Sequence, residues 1–521
     1  MEYNLPSEFV KDLNFGESAK TKIIAGVTKL AQAVKSTLGA SGKCVIYEDG
    51  RGKPVITKDG VTVAESVVLF DPVENMGATL IKEAARNTVK EAGDGTTTAT
   101  VLAESLIKEI SNKEYSNITI REIKSGIKSG LKKVNEYLDN IKIEVKDDML
   151  DSVAAISCNN DKELGAIIAD AYKEVGNDGV VLMESSETNE TYVELVDGVQ
   201  LDCGLTSPHF ITDTEKQRSV LENPLVLIVA SEIPNIRKIQ NILEFVIKNN
   251  KSLLIVAPVS QQVKSALLMN KVKGNIKINV VDTPGFGPTK QDTIKDLAIL
   301  TNATVINEEL GDDLDGISLD ILGEAEKVVT DDKNTVITLE NIDESVKERI
   351  KEVKKLYKAE KNDFLKKKIQ QRIAMLSGSV GIVRVGANSK VELKEKRDRV
   401  EDAIYATKAA LKEGIVPGGG IALLNASERI PYANIGEAIL LNAIRAPYKT
   451  ILSNASIEQT EELVEGNGIN VVTGEEVSMI ESGIIDPVLV TKTALKNAVS
   501  VVGTIVSADC VISNIRMNEG S

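Results

Sequence analysis

A short glycine- and hydroxyl-rich string, Gly93-Asp94-Gly95-Thr96-Thr97-Thr98-Ala99-Thr100, carries the residue types best suited to phosphate chemistry. Its two glycines allow the main chain to approach an anion closely, and the N–H groups and positive dipole of a following helix would attract that anion. Asp94 adds a hard oxygen ligand of the kind that Mg²⁺ prefers. The string therefore indicates a site for phosphate and a divalent cation. A glycine turn followed by a threonine N-cap would explain the same residues, because the string has neither the P-loop lysine nor the third glycine of the dinucleotide motif.

Composition narrows the classes of function. The chain has 521 residues, of which 42% are hydrophobic, so it can build the cores of several globular domains. Its formal net charge of −15 argues against a general nucleic-acid binder or a binder of anionic membranes. Aromatic residues make up only 3% and tryptophan is absent, which disfavours base-stacking platforms. Proteins and small ligands are the expected partners.

Histidine and cysteine usage excludes further kinds of site. His209 is the single histidine, so a histidine-centred catalytic triad or a multi-histidine metal site is not expected. The four cysteines occur without a Cys-x-x-Cys pair, which argues against structural zinc and favours buried thiols in a reducing compartment. The N-terminus lacks a basic region followed by an apolar run, and we expect no apolar stretch of membrane-spanning length. We expect a cytoplasmic protein.

The elements that must position the string are helical. Apolar residues recur at helical spacing from Ser18 to Leu38, and Gly39 supplies a C-terminal stop. The segments 43–47 and 54–57 flank a turn and predict a hairpin that leads to Lys58-Asp59-Gly60. Helices are then predicted for 97–110 and 120–138.

The centre of the chain has a different pattern. Four short apolar runs separated by helical segments predict buried strands of a parallel α/β domain: 225–230, 252–257, 276–282 and 304–307. Residues 343–376 are charged and amphipathic, and their Lys366-Lys367-Lys368 run is typical of a solvated face, with a binding patch as the alternative. After Val400 the pattern is again helical, with a break at Gly418-Gly419-Gly420.

Several strings occur along the chain in an order similar to that of the group I chaperonins of the GroEL type. They are Thr37-Leu38-Gly39, Thr57-Lys58-Asp59-Gly60-Val61, Glu74-Asn75-Met76-Gly77-Ala78, the 92–102 region around Asp94, Pro284-Gly285-Phe286-Gly287, Arg399-Val400-Glu401-Asp402-Ala403, Gly418-Gly419-Gly420 and Asp486-Pro487. Because they span nearly the whole chain, the chain resembles a member of this family, and a divergent bacterial or bacteriophage-encoded subunit fits the departures from its pattern.

The resemblance implies a multidomain α/β chaperonin fold, with a helical equatorial domain, a small hinge-like intermediate domain and an α/β apical domain. The expected segments are 1–139 and 413–521 for the equatorial ATPase domain, 140–196 and 381–412 for the intermediate domain, and 197–380 for the apical domain. It also implies an ATPase that acts as a homo-oligomeric ring of seven subunits, single or double, on non-native client proteins. A GroES-type lid, ATP and Mg²⁺ are expected, and K⁺ is a further candidate cofactor.

The resemblance assigns residues to the nucleotide. The expected pocket comprises Thr37, Leu38, Gly39, Ala40, Lys58, Asp94, Gly95, Thr96, Thr97, Thr98, Gly419, Asn470, Val471, Val472 and Asp486. Asp94 is the expected Mg²⁺ ligand, Asp402 the residue that positions the attacking water, and Asp59 a second carboxylate beside the phosphates. Residue patterns alone leave alternatives open: Asp402 could be an exposed helical acid, Asn470 a turn residue and the glycine triplet a flexible turn.

The resemblance also suggests which residues bind client proteins and which act as hinges. Exposed apolar side chains of the apical domain would bind non-native proteins, with Leu205, His209, Phe210, Leu243, Leu268 and Met269 as candidates and core packing as the alternative for each. Gly198 and Gly378 match the family's upper hinges, and Ser379 stands where a second glycine is usual. A ring-forming holdase with vestigial ATP use, and a small-molecule phosphotransferase, are the competing functions.

Overall fold

A computed structural model of the chain describes residues 11–50, 52–112, 115, 117–158, 161–176, 179–214, 216–284, 290–308, 311–312, 318–340, 344–359, 365, 369, 372–373, 375–376, 378–458 and 463–514. The chain divides into two compact units. Unit 1 comprises Met1–Lys173, Met183–Tyr192 and Arg384–Ser521, and unit 2 comprises Glu174–Leu182 and Val193–Val383. The five-segment domain division that the resemblance implies stays a prediction.

The described helices are α1 Gly16–Lys35, α2 Gly60–Ser66, α3 Pro72–Ala92, α4 Thr96–Ile110, α5 Ile120–Ile141, α6 Asp147–Ser157, α7 Lys162–Val175, α8 Gln240–Lys248, α9 Gln261–Val272, α10 Lys290–Thr301, α11 Glu344–Ala359, α12 Lys390–Glu413, α13 Ile421–Arg429, α14 Ile435–Ala443, α15 Ala446–Asn454 and α16 Val488–Ile505.

The described strands are β1 Lys11–Phe15, β2 Val45–Glu48, β3 Pro54–Thr57, β4 Val180–Ser185, β5 Tyr192–Leu201, β6 Ser219–Glu222, β7 Pro224–Ile228, β8 Ser252–Val256, β9 Lys277–Val281, β10 Gly323–Glu324, β11 Lys327–Thr330, β12 Thr335–Leu339, β13 Ser379–Val385, β14 Ile415–Pro417, β15 Asn467–Ile469, β16 Glu476–Ser478, β17 Ile485–Pro487 and β18 Cys510–Asn514.

The two ends of the chain meet in unit 1. Strand β1 pairs antiparallel with β18, in a register that places Lys11 opposite Asn514. One apolar core contains residues from α1, α3, α4 and α5 together with residues from α14 and α16. Because each of these helices buries an apolar stripe against the others, the N-terminal and C-terminal helices form one body. The sequence pattern alone did not predict this union.

The helices predicted near the N-terminus are confirmed, with several ends shifted by one to three residues. Helix α1 buries Ile23, Val27, Leu30 and Val34 on one face but ends at Lys35, and Gly39 adopts its left-handed φ of +83° beyond the helix. Helix α5 begins with a capping box, in which Thr119 and Glu122 each bond to the other's main chain. The predicted hairpin is the antiparallel pair of β2 and β3.

Unit 2 contains the predicted α/β sheet. Strands β7, β8 and β9 pair in parallel, and β10 adds an antiparallel edge. The fourth predicted strand, 304–307, is wrong, because only Ile306 forms an isolated parallel bridge, to Val229. A second sheet has the order β4-β13-β5-β12-β11-β6. The Lys366-Lys367-Lys368 run and Gly285-Phe286-Gly287 lie outside the described residues.

The two predicted hinge glycines lie beside each other in unit 2. Gly198 is inside β5, and its N–H donates to the Gly378 carbonyl oxygen at 3.4 Å. A Cβ atom at Gly198 would lie 2.6 Å from Val380 Cγ2, so close packing requires glycine there. Their role as hinges stays a prediction.

One helix is long and apolar enough to cross a membrane by length and composition, which corrects the expectation that no stretch reaches that length. It is α16, and 61% of its residues are buried inside the fold. Ala494, Leu495, Ala498 and Val502 belong to the core of unit 1, as is typical of a central core helix.

Candidate functional site

A cavity of about 860 Å³ lies in unit 1, and both ends of the chain line it. Its lining includes every residue that the resemblance assigned to the nucleotide or to hydrolysis: Thr37, Leu38, Gly39, Ala40, Lys58, Asp59, Asp94, Gly95, Thr96, Thr97, Thr98, Asp402, Gly419, Asn470, Val471, Val472 and Asp486. The structure therefore brings these residues together, and their individual roles stay predictions.

The glycine-rich string forms the turn between α3 and α4. Gly93 ends α3 with φ +80°, and Gly95 is the N-cap of α4 with φ +96° and no side-chain cap hydrogen bond. The threonine N-cap alternative is therefore wrong. Because no side chain caps α4, the N–H groups of its first turn are left for a ligand, and that turn lines the cavity. The Asp94 carboxylate accepts a hydrogen bond from the Gly95 N–H.

Asp59 is held at the start of α2, directly after the hairpin. Its carboxylate accepts hydrogen bonds from the N–H groups of Val61 at 3.0 Å and Thr62 at 2.8 Å, and from the Thr62 hydroxyl at 2.6 Å. A Cβ atom at Gly60 would lie 2.2 Å from Thr97 Oγ1, so this turn packs directly on the first turn of α4. Asp59 is thus a helix cap as well as a lining residue of the cavity.

Helix α12 supplies Asp402 and five further charged residues that line the cavity, namely Lys390, Lys394, Glu395, Asp398 and Arg399. Lys390, Lys394, Asp398 and Asp402 are spaced four residues apart and all line the cavity, so they form one stripe of the helix. The alternative that Asp402 is merely an exposed acid is wrong, because it is half-buried in the cavity wall. Sequence reasoning assigned none of the other charged residues of α12 to the site. The four-residue spacing upstream of Asp402 could have revealed Lys390, Lys394 and Asp398.

The glycine triplet and Asp486 form one corner of the cavity. Gly419 and Gly420 adopt φ values of +64° and +81°, and their N–H groups donate to the Asp486 carboxylate. Strand β17 carries Asp486 opposite Val416 of β14. The triplet is therefore a defined left-handed turn rather than a merely flexible one, and Asp486 orders it.

An apolar cluster forms another wall. Tyr448, Met479, Ile469, Val471 and Ile484 belong to one apolar cluster and line the cavity. Such a wall suits a flat apolar ring of a ligand.

Asn470, beside this wall, is the turn residue that one interpretation of the sequence expected. Its side-chain oxygen accepts from the Val472 N–H at 3.0 Å, and its carbonyl oxygen accepts from the Gly474 N–H. Asn470 still lines the cavity, so the turn places it beside a ligand.

Negative charge accumulates in the cavity. Burial raises the pKa of Asp94, and burial together with the charges of Asp94 and Asp59 raises the pKa of Asp402 well above its usual range. Burial and the Asp94 charge raise the pKa of Asp486 to about 6. The three pKa values rise for the same reason: loss of water and the charge of neighbouring carboxylates both destabilise the ionised form of an acid relative to its neutral form. The cavity therefore favours a ligand that brings positive charge.

The described residues of this site do not form a metal centre in which side chains alone hold the ion. The described residues include no group of three or more His, Cys, Asp or Glu side chains arranged to hold a metal ion. Mg²⁺ commonly binds to one or two carboxylates and completes its shell with water and substrate phosphates. Asp94, placed at the uncapped start of α4, fits that arrangement.

The client-binding candidates in unit 2 need correction. Phe210 is 0% exposed and Leu243 is 8% exposed, and both belong to the core formed around β7, β8 and β9. The prediction that each presents an apolar surface is therefore wrong for these two residues, because their side chains pack inward. Leu205 and Leu268 are half-buried, whereas His209 and Met269 are exposed.

Comparison with known proteins gives consistent matches over nearly the whole chain. The model of the TCP-1/cpn60 chaperonin family matches residues 30–516. Two crystal forms of the chaperonin gp146 from the bacteriophage EL 2 (Pseudomonas aeruginosa), both obtained in the presence of ATP-BeFx, have similar structures. Form II has a TM-score of 0.71 at 20% identity and covers 96% of this chain and 98% of that one. Form I has a TM-score of 0.64 at 20% identity, with coverages of 97% and 99%. The predicted multidomain α/β chaperonin fold is confirmed.

Proposed function

Because the chain belongs to the TCP-1/cpn60 chaperonin family, we propose that it is an ATP-dependent chaperonin subunit that captures non-native proteins in a ring cavity and promotes their folding. Membership of the family supports the chaperonin function itself. The finer parts of the proposal are ATP hydrolysis, a homo-oligomeric ring of seven subunits, a GroES-type lid and action in the cytoplasm.

One observation carries the ATPase part of the proposal. A single cavity joins the uncapped start of α4 and the carboxylates of Asp59 and Asp94, all from the N-terminal part, to Asp402 and Asp486 from the C-terminal part. The free N–H groups of α4 would hold phosphate oxygens, and the apolar wall would take the base. The presence of ATP-BeFx in the gp146 crystals supports a nucleotide as the ligand.

The acids of the cavity have separate tasks in this proposal. Asp94 would hold Mg²⁺, and Asp402, half-buried on α12, would orient a water molecule toward the terminal phosphoryl group. When bound, Mg²⁺ would neutralise phosphate charge and favour the ionised forms of the acids around it. Asp486 would accept hydrogen bonds from the ribose, as the resemblance implies.

Client capture would use the exposed part of unit 2. His209 and Met269 are exposed there, and Leu205 and Leu268 are half-buried. Apolar surface of this kind binds unfolded chains without a common sequence, because it only requires apolar area to leave water. Nucleotide binding would then shift the population between client-holding and client-releasing states.

The test is ATP binding and hydrolysis by the purified protein, with Mg²⁺ and with or without K⁺. We expect Asp402→Asn to bind ATP within about threefold of the unmodified protein and to hydrolyse it roughly 100-fold more slowly. Glu401→Gln is the matched control, since Glu401 is the preceding acid of α12 but does not line the cavity.

Three outcomes would contradict the proposal. Failure of the unmodified protein to bind ATP would remove the nucleotide site, and unchanged hydrolysis by Asp402→Asn would remove Asp402 from catalysis. Client release that needs no ATP would favour a holdase.

A further inference from the structure

In the stripe Lys390, Lys394, Asp398 and Asp402 of α12, the two basic residues come first along the helix and are more exposed than the two acidic residues. Lys390 and Lys394 are exposed, whereas Asp398 and Asp402 are half-buried, and all four line the same cavity. At about 1.5 Å per residue the stripe is roughly 18 Å long. Its cations therefore stand at the solvent end and its acids stand toward the interior.

The cavity needs such cations if an anion is to enter it. Among its described lining residues six are acidic and four are basic, which leaves an excess of negative charge that would repel a nucleotide. Arg399 is already engaged by Glu395 and, at 3.8 Å, by Asp161. Lys58 also has an interaction partner.

Lys390 and Lys394 differ from Arg399 and Lys58 in their interactions. Lys390 and Lys394 form no ion pair with any residue that the structure describes, so no described carboxylate holds either ammonium group in place. Lys390 is also the first residue of α12, where the helix dipole disfavours a cation. A cation kept there at some cost to the helix is consistent with a role outside helix stability.

We propose that Lys390 and Lys394 form a cationic entrance that speeds capture of the nucleoside triphosphate by long-range attraction. The inference rests on the proposed function and adds two residues to it. Lysines at the solvent end of α12 are too far from Asp402 along the helix to contact a phosphoryl group held beside that acid. They act on the approaching ligand instead, so their effect lies in the association rate and is sensitive to salt.

The test measures association and dissociation rates of a fluorescent ATP analogue by stopped flow, at low and at high ionic strength. Two charges acting over roughly 10 Å of water on a metal-bound triphosphate should change the association rate about fivefold at low salt. We expect the double variant Lys390→Gln/Lys394→Gln to show this loss, with an unchanged dissociation rate and no difference from the unmodified protein at high salt. Lys390→Arg/Lys394→Arg should restore the rate.

Lys412→Gln is the matched control, since Lys412 is an exposed lysine of α12 that does not line the cavity. An unchanged association rate in the double glutamine variant would overturn the inference, as would a loss that appears only in the dissociation rate or an equal loss in the control. If the unmodified protein binds no nucleotide at either salt concentration, the proposed function itself fails, which is a separate result.

Discussion

Replacement of Gly95 by alanine tests how tightly the turn between α3 and α4 packs against the rest of unit 1. Gly95 has φ +96°, and a Cβ atom there would lie 2.7 Å from Val490 Cγ1 and 3.3 Å from Thr88 Cγ2. The left-handed backbone costs an alanine about 1–2 kcal/mol. Overpacking against Val490 adds about 1–3 kcal/mol. We therefore expect Gly95→Ala to lower the free energy of unfolding by roughly 2–5 kcal/mol.

Gly466 allows the cost of backbone strain to be measured separately from the cost of overpacking. Gly466 also has a positive φ, +82°, but a Cβ atom there would meet nothing within 4 Å. Gly466→Ala should therefore lower the free energy of unfolding by about 1–2 kcal/mol only, from backbone strain. Both variants would be measured on the full chain by urea denaturation followed by far-UV circular dichroism.

A double-mutant cycle isolates the contact with Val490. Val490→Ala removes the atom that the new methyl group would strike, so Gly95→Ala should cost about 1–3 kcal/mol less in the Val490→Ala background. ATP affinity should follow the same order, because the turn carries the first N–H groups of α4. Additive costs in the cycle, or equal costs for the two glycines, would refute the packing argument.

Two further predictions concern an acid in the core of unit 1 and the surface of unit 2. Glu437 is 2% exposed and bonds to Lys133 and to Ser129, both at 2.7 Å, and these contacts lower its pKa from 4.5 to about 2. Its contribution is therefore fully present above pH 4.5 and is lost as the pH falls toward 2. Glu437→Gln should lower the free energy of unfolding by about 2–3 kcal/mol at pH 7, and a gap that stays constant down to pH 2 would contradict this. Met269 is 59% exposed, so Met269→Ser should weaken capture of an unfolded client roughly three- to tenfold in a binding assay. Phe70→Ser, at an 84% exposed site of unit 1, is the control, and an equal loss there would argue against unit 2 as the capture surface.

Local pattern was sufficient for several elements. The 3.6-residue spacing of Ile23, Val27, Leu30 and Val34 predicted α1, and short apolar runs predicted β7, β8 and β9. Turn residues between two β-rich segments predicted the hairpin of β2 and β3. These signals lie within a few residues of each other, so the chain's own periodicity and turn chemistry are enough to detect them.

Other features depended on contacts that local pattern does not encode. The 304–307 run contains Val305 and Ile306, yet it forms only one bridge, from Ile306 to Val229 directly after the end of β7. The resemblance made Phe210 and Leu243 candidates for client capture with core packing as the alternative, and the packing around β7, β8 and β9 shows that they are core.

Residue types and their order along the chain were enough to predict a glycine-rich turn before a helix with an acid beside it. Only the tertiary structure shows which distant residues lie together in one site. Lys11 and Asn514 are separated by 503 positions but lie in one strand pair, and the same closure brings Asp94 and Asp402 into one cavity. The physical reason is that burial of apolar helix faces from both ends in a single core sets these distances, and that burial is a property of the whole chain.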